Sequence, residues 1–190
     1  MSFEEEKIIY FSKRELTSLD KTLERVKETA GKLGIRSIVV ASTTGETGVK
    51  ASEMLKGYNV VIVTHHFGFR EPNTIELTEE NRKRILANGG KVLTATHALG
   101  GVGRAVRKEF DTMQTDEIIA NTLRIFGEGM KVAIEIALMA VDSGLVRTDE
   151  DVISIGKWDT AIVVRPANVS NFFNIRVKEI LSKPHLKAGR

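Results

Sequence analysis

The chain contains no cysteine, only one tryptophan and three prolines, and no apolar run long enough to span a bilayer. Without cysteine there are no disulfides, no thiolate metal sites and no cysteine nucleophile. The missing apolar run and the acidic start (Glu4, Glu5, Glu6, Lys7) speak against a membrane span and a signal peptide, so a cytoplasmic location is expected. A dominant charge of one sign is absent too. Acids and bases alternate to a net charge of +3, which does not make the polyanion-binding surface that nucleic acid requires. Internal repeats and low-complexity tracts are missing as well. What remains is 190 residues, 42% hydrophobic and 28% charged, enough for one α/β ligand-binding domain over residues 1–190.

The most informative stretch is Ser37 to Gly48. An apolar, β-branched run (Ile38, Val39, Val40) ends in hydroxyls and glycines, and a helix-like segment follows from Val49 to Leu55. That pattern is a buried strand delivering a small-residue loop to a helix N-terminus, where N–H groups lack partners and the helix dipole is positive. Such a loop suits a phosphate, and also serves as a tight strand-to-helix turn. A Walker A motif is not present: Gly48 is followed by Val49-Lys50-Ala51, so nucleoside triphosphate hydrolysis is disfavoured.

Helical spacing of Leu19, Leu23, Val26, Ala30 and Leu33 predicts a helix from about Asp20 to Leu33. Strands are expected at Ile35–Ala41, Val60–Thr64, Lys91–Thr96, Asp151–Ile155 and Ala161–Arg165, with Ile175–Leu181 a final strand or helix. Thr78 reads as the cap of a further helix. Asp116–Gly144 reads as helical with an interruption at Gly127-Glu128-Gly129. Its second half, Met130–Val141, is apolar nearly all round and fits the core or an oligomer interface. The alternation predicts an α/β fold with a three-layer, open, mostly parallel sheet.

In such sheets ligands bind beyond the carboxyl ends of the strands. Four expected strand ends carry polar or glycine-rich residues: Ser42–Gly48, Thr64-His65-His66, Thr96-His97 and Gly156-Lys157-Trp158. They predict one shared cleft. The histidines read as ligand contacts or as hydrogen-bonded structural residues rather than metal ligands. Gly100-Gly101-Val102-Gly103-Arg104 is either a second anion loop or a mobile, close-packing segment. Gly127 offers a restarting helix N-terminus or a mere kink. No nucleophile–base pair is visible, so a hydrolase using His65 or His97 has little support.

The order of elements, with Val39-Val40-Ala41-Ser42-Thr43-Thr44-Gly45-Glu46-Thr47 and Asp151-Val152-Ile153-Ser154-Ile155-Gly156-Lys157-Trp158, resembles the C-terminal domain of pyruvate kinase. It resembles more closely the stand-alone archaeal proteins of the pyruvate kinase α/β-domain family. The resemblance implies a binding domain rather than a kinase. The segment from Val39 to Thr47 is similar to the hydroxyl loop that holds a phosphate of a sugar bisphosphate. The segment from Asp151 to Trp158 is similar to the glycine–tryptophan loop that closes over it. Glu46 departs from the basic or small residue often found there.

The stand-alone relatives resemble flavin mononucleotide (FMN) binders, which implies phosphate contacts at Ser42, Thr43, Thr44, Gly45, Glu46 and Thr47. Thr64, His65, His97, Gly127, Lys157 and Trp158 are added from their places at strand and helix ends. The expected function is therefore FMN binding; were the protein an enzyme, it would be a flavin-dependent oxidoreductase. The alternative is a regulatory module that binds a phosphorylated metabolite without turnover. A homo-oligomer is expected in either case.

Overall fold

A computed structural model of the protein describes residues 5–12 and 16–185. Of the acidic N-terminal run, Glu4 lies outside the described residues. Seven strands form one sheet: β1 (Ile9–Phe11), β2 (Ser37–Ala41), β3 (Asn59–Val63), β4 (Lys91–Leu93), β5 (Val152–Ile155), β6 (Ala161–Arg165) and β7 (Arg176–Pro184). Six α-helices accompany them: α1 (Leu16–Leu33), α2 (Glu46–Met54), α3 (Glu79–Ala87), α4 (Val102–Phe110), α5 (Thr115–Arg124) and α6 (Glu128–Asp142).

The strand order is β1-β7-β6-β5-β2-β3-β4. Strands β5, β2, β3 and β4 run parallel, as do β1 and β7, while β6 is antiparallel to both its neighbours. The sheet is thus mostly parallel, as expected. The exception at β6 arises because only the short turn Lys157–Asp159 joins it to β5, too little chain for a helical crossover.

Each central strand divides its side chains between two cores. Ile38 and Val40 of β2 pack with Leu23, Val26 and Ala30 of α1, Val49 and Leu55 of α2 and Ile85 of α3. Val39 faces the other way, into a core built on α6. Both faces are covered by helices, which explains the unbroken β-branched run in β2. The result is the expected three-layer α/β fold.

Helix α6 is the centre of the second core. Met130, Ala133, Ile134, Ile136, Ala137, Leu138, Met139, Ala140 and Val141 are all buried. That burial places these residues in the core, the first of the two roles expected for Met130–Val141. Helix α5 packs on α6 and α4 on α5, outside the sheet layers.

Three local expectations change. Helix α1 begins at Leu16 rather than Asp20, and the extra turn brings Ser18 to the loop after β5. Strand β4 ends at Leu93, leaving Thr94–Thr96 as irregular backbone. The Gly100–Arg104 stretch is the start of helix α4, with Gly101 at its N-cap. The closing segment, open between strand and helix, is the strand β7. Among the described residues, no helix is long and apolar enough to cross a membrane.

Candidate functional site

The chain begins its central sheet at β2, adds β3 and β4 on one side, then returns through α4–α6 to place β5 on the other. The carboxyl ends of β2 and β5 therefore diverge at a topological switch point, where open α/β sheets leave a crevice. A cleft of about 600 Å³ lies there. It brings together Ser42, Thr43, Thr44, Glu46, Thr47, Thr64, His65, His97, Lys157 and Trp158. Two of the residues read from the sequence are not on its wall. Gly45 faces α3: a Cβ there would lie 2.5 Å from Asn81 Cβ and 2.6 Å from Leu77 Cδ1. Gly127 caps α6 with φ 115°, behind the lining residue Glu128.

The loop after β2 is held from both sides. The Thr44 carbonyl accepts hydrogen bonds from Thr78 N (3.3 Å) and Asn81 Nδ2 (3.0 Å). Gly45 adopts φ 98°, a left-handed conformation that makes the abrupt entry into α2. Ser42 Oγ accepts from Gly48 N at 3.0 Å, so this buried hydroxyl satisfies one orphan donor of α2. The backbone N–H groups of Glu46 and Thr47 have no acceptor among the described residues. With Thr43 and Thr47, which line the cleft, they form the polar part of the loop. The Glu46 side chain is exposed at the same rim, where its charge favours the helix dipole but opposes an incoming anion.

The opposite wall comes from α6 and the turn after β5. Gly129 and Gly156 lie back to back: a Cβ on Gly156 would be 2.7 Å from Ala133 N, and one on Gly129 would be 2.6 Å from Thr160 Cβ. Trp158 and Asp159 then both take positive φ, 55° and 56°. Such backbone is strained for ordinary residues and persists only when its surroundings over-determine it. Here Ser18 Oγ donates to Asp159 Oδ2 (2.6 Å), and Ser182 Oγ donates to the Asp159 carbonyl (2.7 Å). Trp158 remains 40% exposed, with Lys157 Nζ 4.7 Å from its ring centroid. Lys157 has no carboxylate partner among the described residues.

An aromatic cluster closes the third side. The ring of Phe69 lies 4.0 Å from that of His65 and 5.2 Å from that of His97, and the Arg104 guanidinium sits 5.5 Å from its centroid. His65 Nδ1 hydrogen-bonds Glu76 (2.9 Å), which also pairs with Arg70 (3.1 Å). Thr64 lines the cleft, but its hydroxyl is shared with Thr94 Oγ1 (2.8 Å) and the His65 carbonyl (2.8 Å).

On the cleft wall formed by α6, Lys131 and Glu135 form a buried ion pair, their side chains 6% and 5% exposed. Glu135 also accepts from Leu99 N at 3.0 Å, tying the segment between β4 and α4 to α6. Sequence reading missed Arg70, Arg124, Lys131 and Glu135 as site residues, whereas Arg104 stood within the candidate anion loop Gly100–Arg104. Opposite charges at i and i+4 inside an otherwise apolar helix were the available signal for Lys131 and Glu135. The arginines lie on elements whose approach to the cleft depends on long-range packing.

Burial pushes the His97 imidazole down from 6.5 to about 4; Glu135 opposes this, while Lys131, His65 and Arg104 reinforce it. The unfolded chain takes up this proton below about 6.5, whereas the folded chain resists it until about 4. His97 therefore lowers stability progressively as pH falls between those values and has no pH-dependent effect above them. Unfolding midpoints measured across that range should fall more steeply for the wild type than for His97→Asn. Parallel curves would contradict the burial of a neutral imidazole.

Together the fold and this cleft define an α/β domain with a polar crevice at its strand ends. Residues 20–171 match the model of the pyruvate kinase alpha/beta domain, and the chain belongs to that family. Among solved structures it is similar to a pyruvate kinase from Cryptosporidium parvum, at 13% identity and a TM-score of 0.42, covering 82% of this chain and 24% of that one. Another structure of the C. parvum enzyme gives 12% identity and a TM-score of 0.40, covering 78% and 22%. An O-ureido-L-serine synthase is similar over 50% of this chain and 30% of its own, at 21% identity and a TM-score of 0.31. The chain spans about a quarter of the length of those kinases.

Proposed function

We propose that the protein binds a phosphorylated small molecule in this cleft, with its phosphate at the N-terminus of α2, and that the molecule is FMN. The observation that carries the reading is the pair of unpartnered N–H groups, Glu46 and Thr47, beside the Thr43 and Thr47 hydroxyls at a roomy cleft. Room for a flat ring beyond the phosphate, with Trp158, Phe69, His65 and His97 around it, supports a nucleotide over a bare anion. Bound flavin would supply redox chemistry, and the chain's own part would be to bind and orient it and to limit water. From composition and charge alone, we further propose a cytoplasmic homo-oligomer with no nucleic-acid or membrane partner.

A rival reading has its own support. Arg104 and Lys157 line the cleft and have no carboxylate partner among the described residues. They lie on α4 and in the turn after β5 rather than in the loop after β2, which favours a metabolite with a second anionic group, sensed without turnover.

Absorbance of the freshly purified protein, with mass analysis of what heat releases, separates the two. A flavin spectrum with the mass of FMN is expected, with quenching of Trp158 fluorescence when FMN is added to stripped protein. Thr43→Val with Thr47→Val should weaken FMN at least tenfold without shifting the unfolding midpoint, because Ser42, not these two, caps Gly48. A colourless protein that rejects added FMN but is heat-stabilised by a sugar bisphosphate would replace the flavin reading with its rival.

A further inference from the structure

A second groove, of about 510 Å³, lies between α4 and α5 and shares Arg104 and Arg124 with the main cleft. Arg107 and Lys108 line this groove alone. Glu117 is the one acidic residue of the groove's lining, and Glu109, Asp111 and Asp116 lie on or beside the same two helices. Glu117 pairs with Arg107 (2.6 Å), and Glu128 pairs with Arg124 (2.6 Å). Arg104 and Lys108 have no acidic partner among the described residues. Two of the four cations are thus outside any ion pair among the described residues, and they border a concavity whose floor includes the buried apolar residues Leu99 and Ala120.

We infer that this groove is a second anion subsite, and that it takes the diphosphate of a nucleotide whose remainder reaches toward the main cleft past Arg104 and Arg124. The cations come from two helices, Arg104, Arg107 and Lys108 from α4 and Arg124 from α5, and so offer donors to more than one phosphoryl group. Guanidinium groups present paired donors to adjacent phosphoryl oxygens, and Lys108 adds a point charge at the outer end. The apolar floor suits an uncharged ring or sugar face and gives nothing to a bare inorganic ion. Because two arginines belong to both spaces, the groove and cleft would hold two ligands side by side, or two ends of one. This assignment does not depend on which molecule occupies the loop after β2.

Inorganic pyrophosphate is the probe, titrated calorimetrically into Thr43→Val/Thr47→Val protein so that the loop after β2 is disabled. Saturable binding is expected there, at least tenfold tighter than for inorganic phosphate. Adding Lys108→Glu should weaken it at least tenfold. Lys108 is exposed on α4, so the variant should keep the wild-type unfolding midpoint, and Lys108→Gln serves as the milder form if it does not. No binding to the loop variant, or equal affinity with and without the Lys108 substitutions, would overturn the subsite. Failure of FMN to bind the wild type, with the pyrophosphate result intact, would overturn only the flavin reading.

Discussion

Glu135→Leu is expected to destabilise the fold by about 3–5 kcal/mol, because it strands the Lys131 ammonium in a site where its side chain is only 6% exposed. The same change removes the acceptor of the Leu99 N–H, adding the cost of an unmatched buried donor. Combining it with Lys131→Met should recover much of the loss, since an apolar pair of similar volume avoids the unpaired charge. The double variant should still fall short of the wild type, because Leu99 N remains unsatisfied. Glu135→Gln retains an acceptor for that N–H and should cost less than Glu135→Leu. Urea denaturation of the wild type, Glu135→Leu, Lys131→Met and the double variant measures the cycle, with Glu135→Gln alongside. Losses that simply add would mean that the pair contributes no coupling.

A comparable loss is expected for Gly156→Ala, about 3 kcal/mol, from space rather than backbone conformation. Gly156 has φ −91° and ψ −161°, angles open to any residue. Its constraint is the first turn of α6, where Gly129 O and Ala133 N stand where a Cβ would go. Backbone atoms of a buried helix cannot swing aside as a flexible side chain would. The turn carrying Lys157 and Trp158 must therefore move off α6, and FMN affinity should fall at least tenfold along with stability. Full stability with weakened binding would show that the turn relocates freely. Unchanged binding with lost stability would remove Lys157 and Trp158 from the site.

How far these features could be read beforehand depends on their range in the chain. The β-branched run Ile38–Val40 and the glycine-hydroxyl loop behind it are local signals, and they place both β2 and the start of α2. Helix α4 was not legible, because Gly100, Gly101 and Gly103 signal loop by composition. In the structure Gly101 is the N-cap, Gly100 lies beneath the Arg104 guanidinium, and Gly103 lies against the Asp116 carboxylate. Both neighbours are side-chain ends that can swing aside, so packing does not by itself require glycine at 100 or 103. The strained turn at Trp158 and Asp159 was also hidden, since its restraints come from Ser18 and Ser182, far away in sequence. Ser42 was legible as a loop residue but not as the partner of Gly48 N, a role that only the curvature of the turn creates.

The place of the cleft between β2 and β5 also bears on the order of assembly. Ile38 pairs with Ile153 across the centre of the sheet, although most of the chain's helices intervene. Closing so long a loop is entropically costly and belongs to the slow part of folding. One wall of the crevice, from the loop after β2, forms from neighbouring residues. The other, from α6 and the Gly156 turn, arrives only when that distant strand has docked. A ligand that touches both walls thus recognises only the finished molecule, and its binding energy favours completed chains over half-assembled ones.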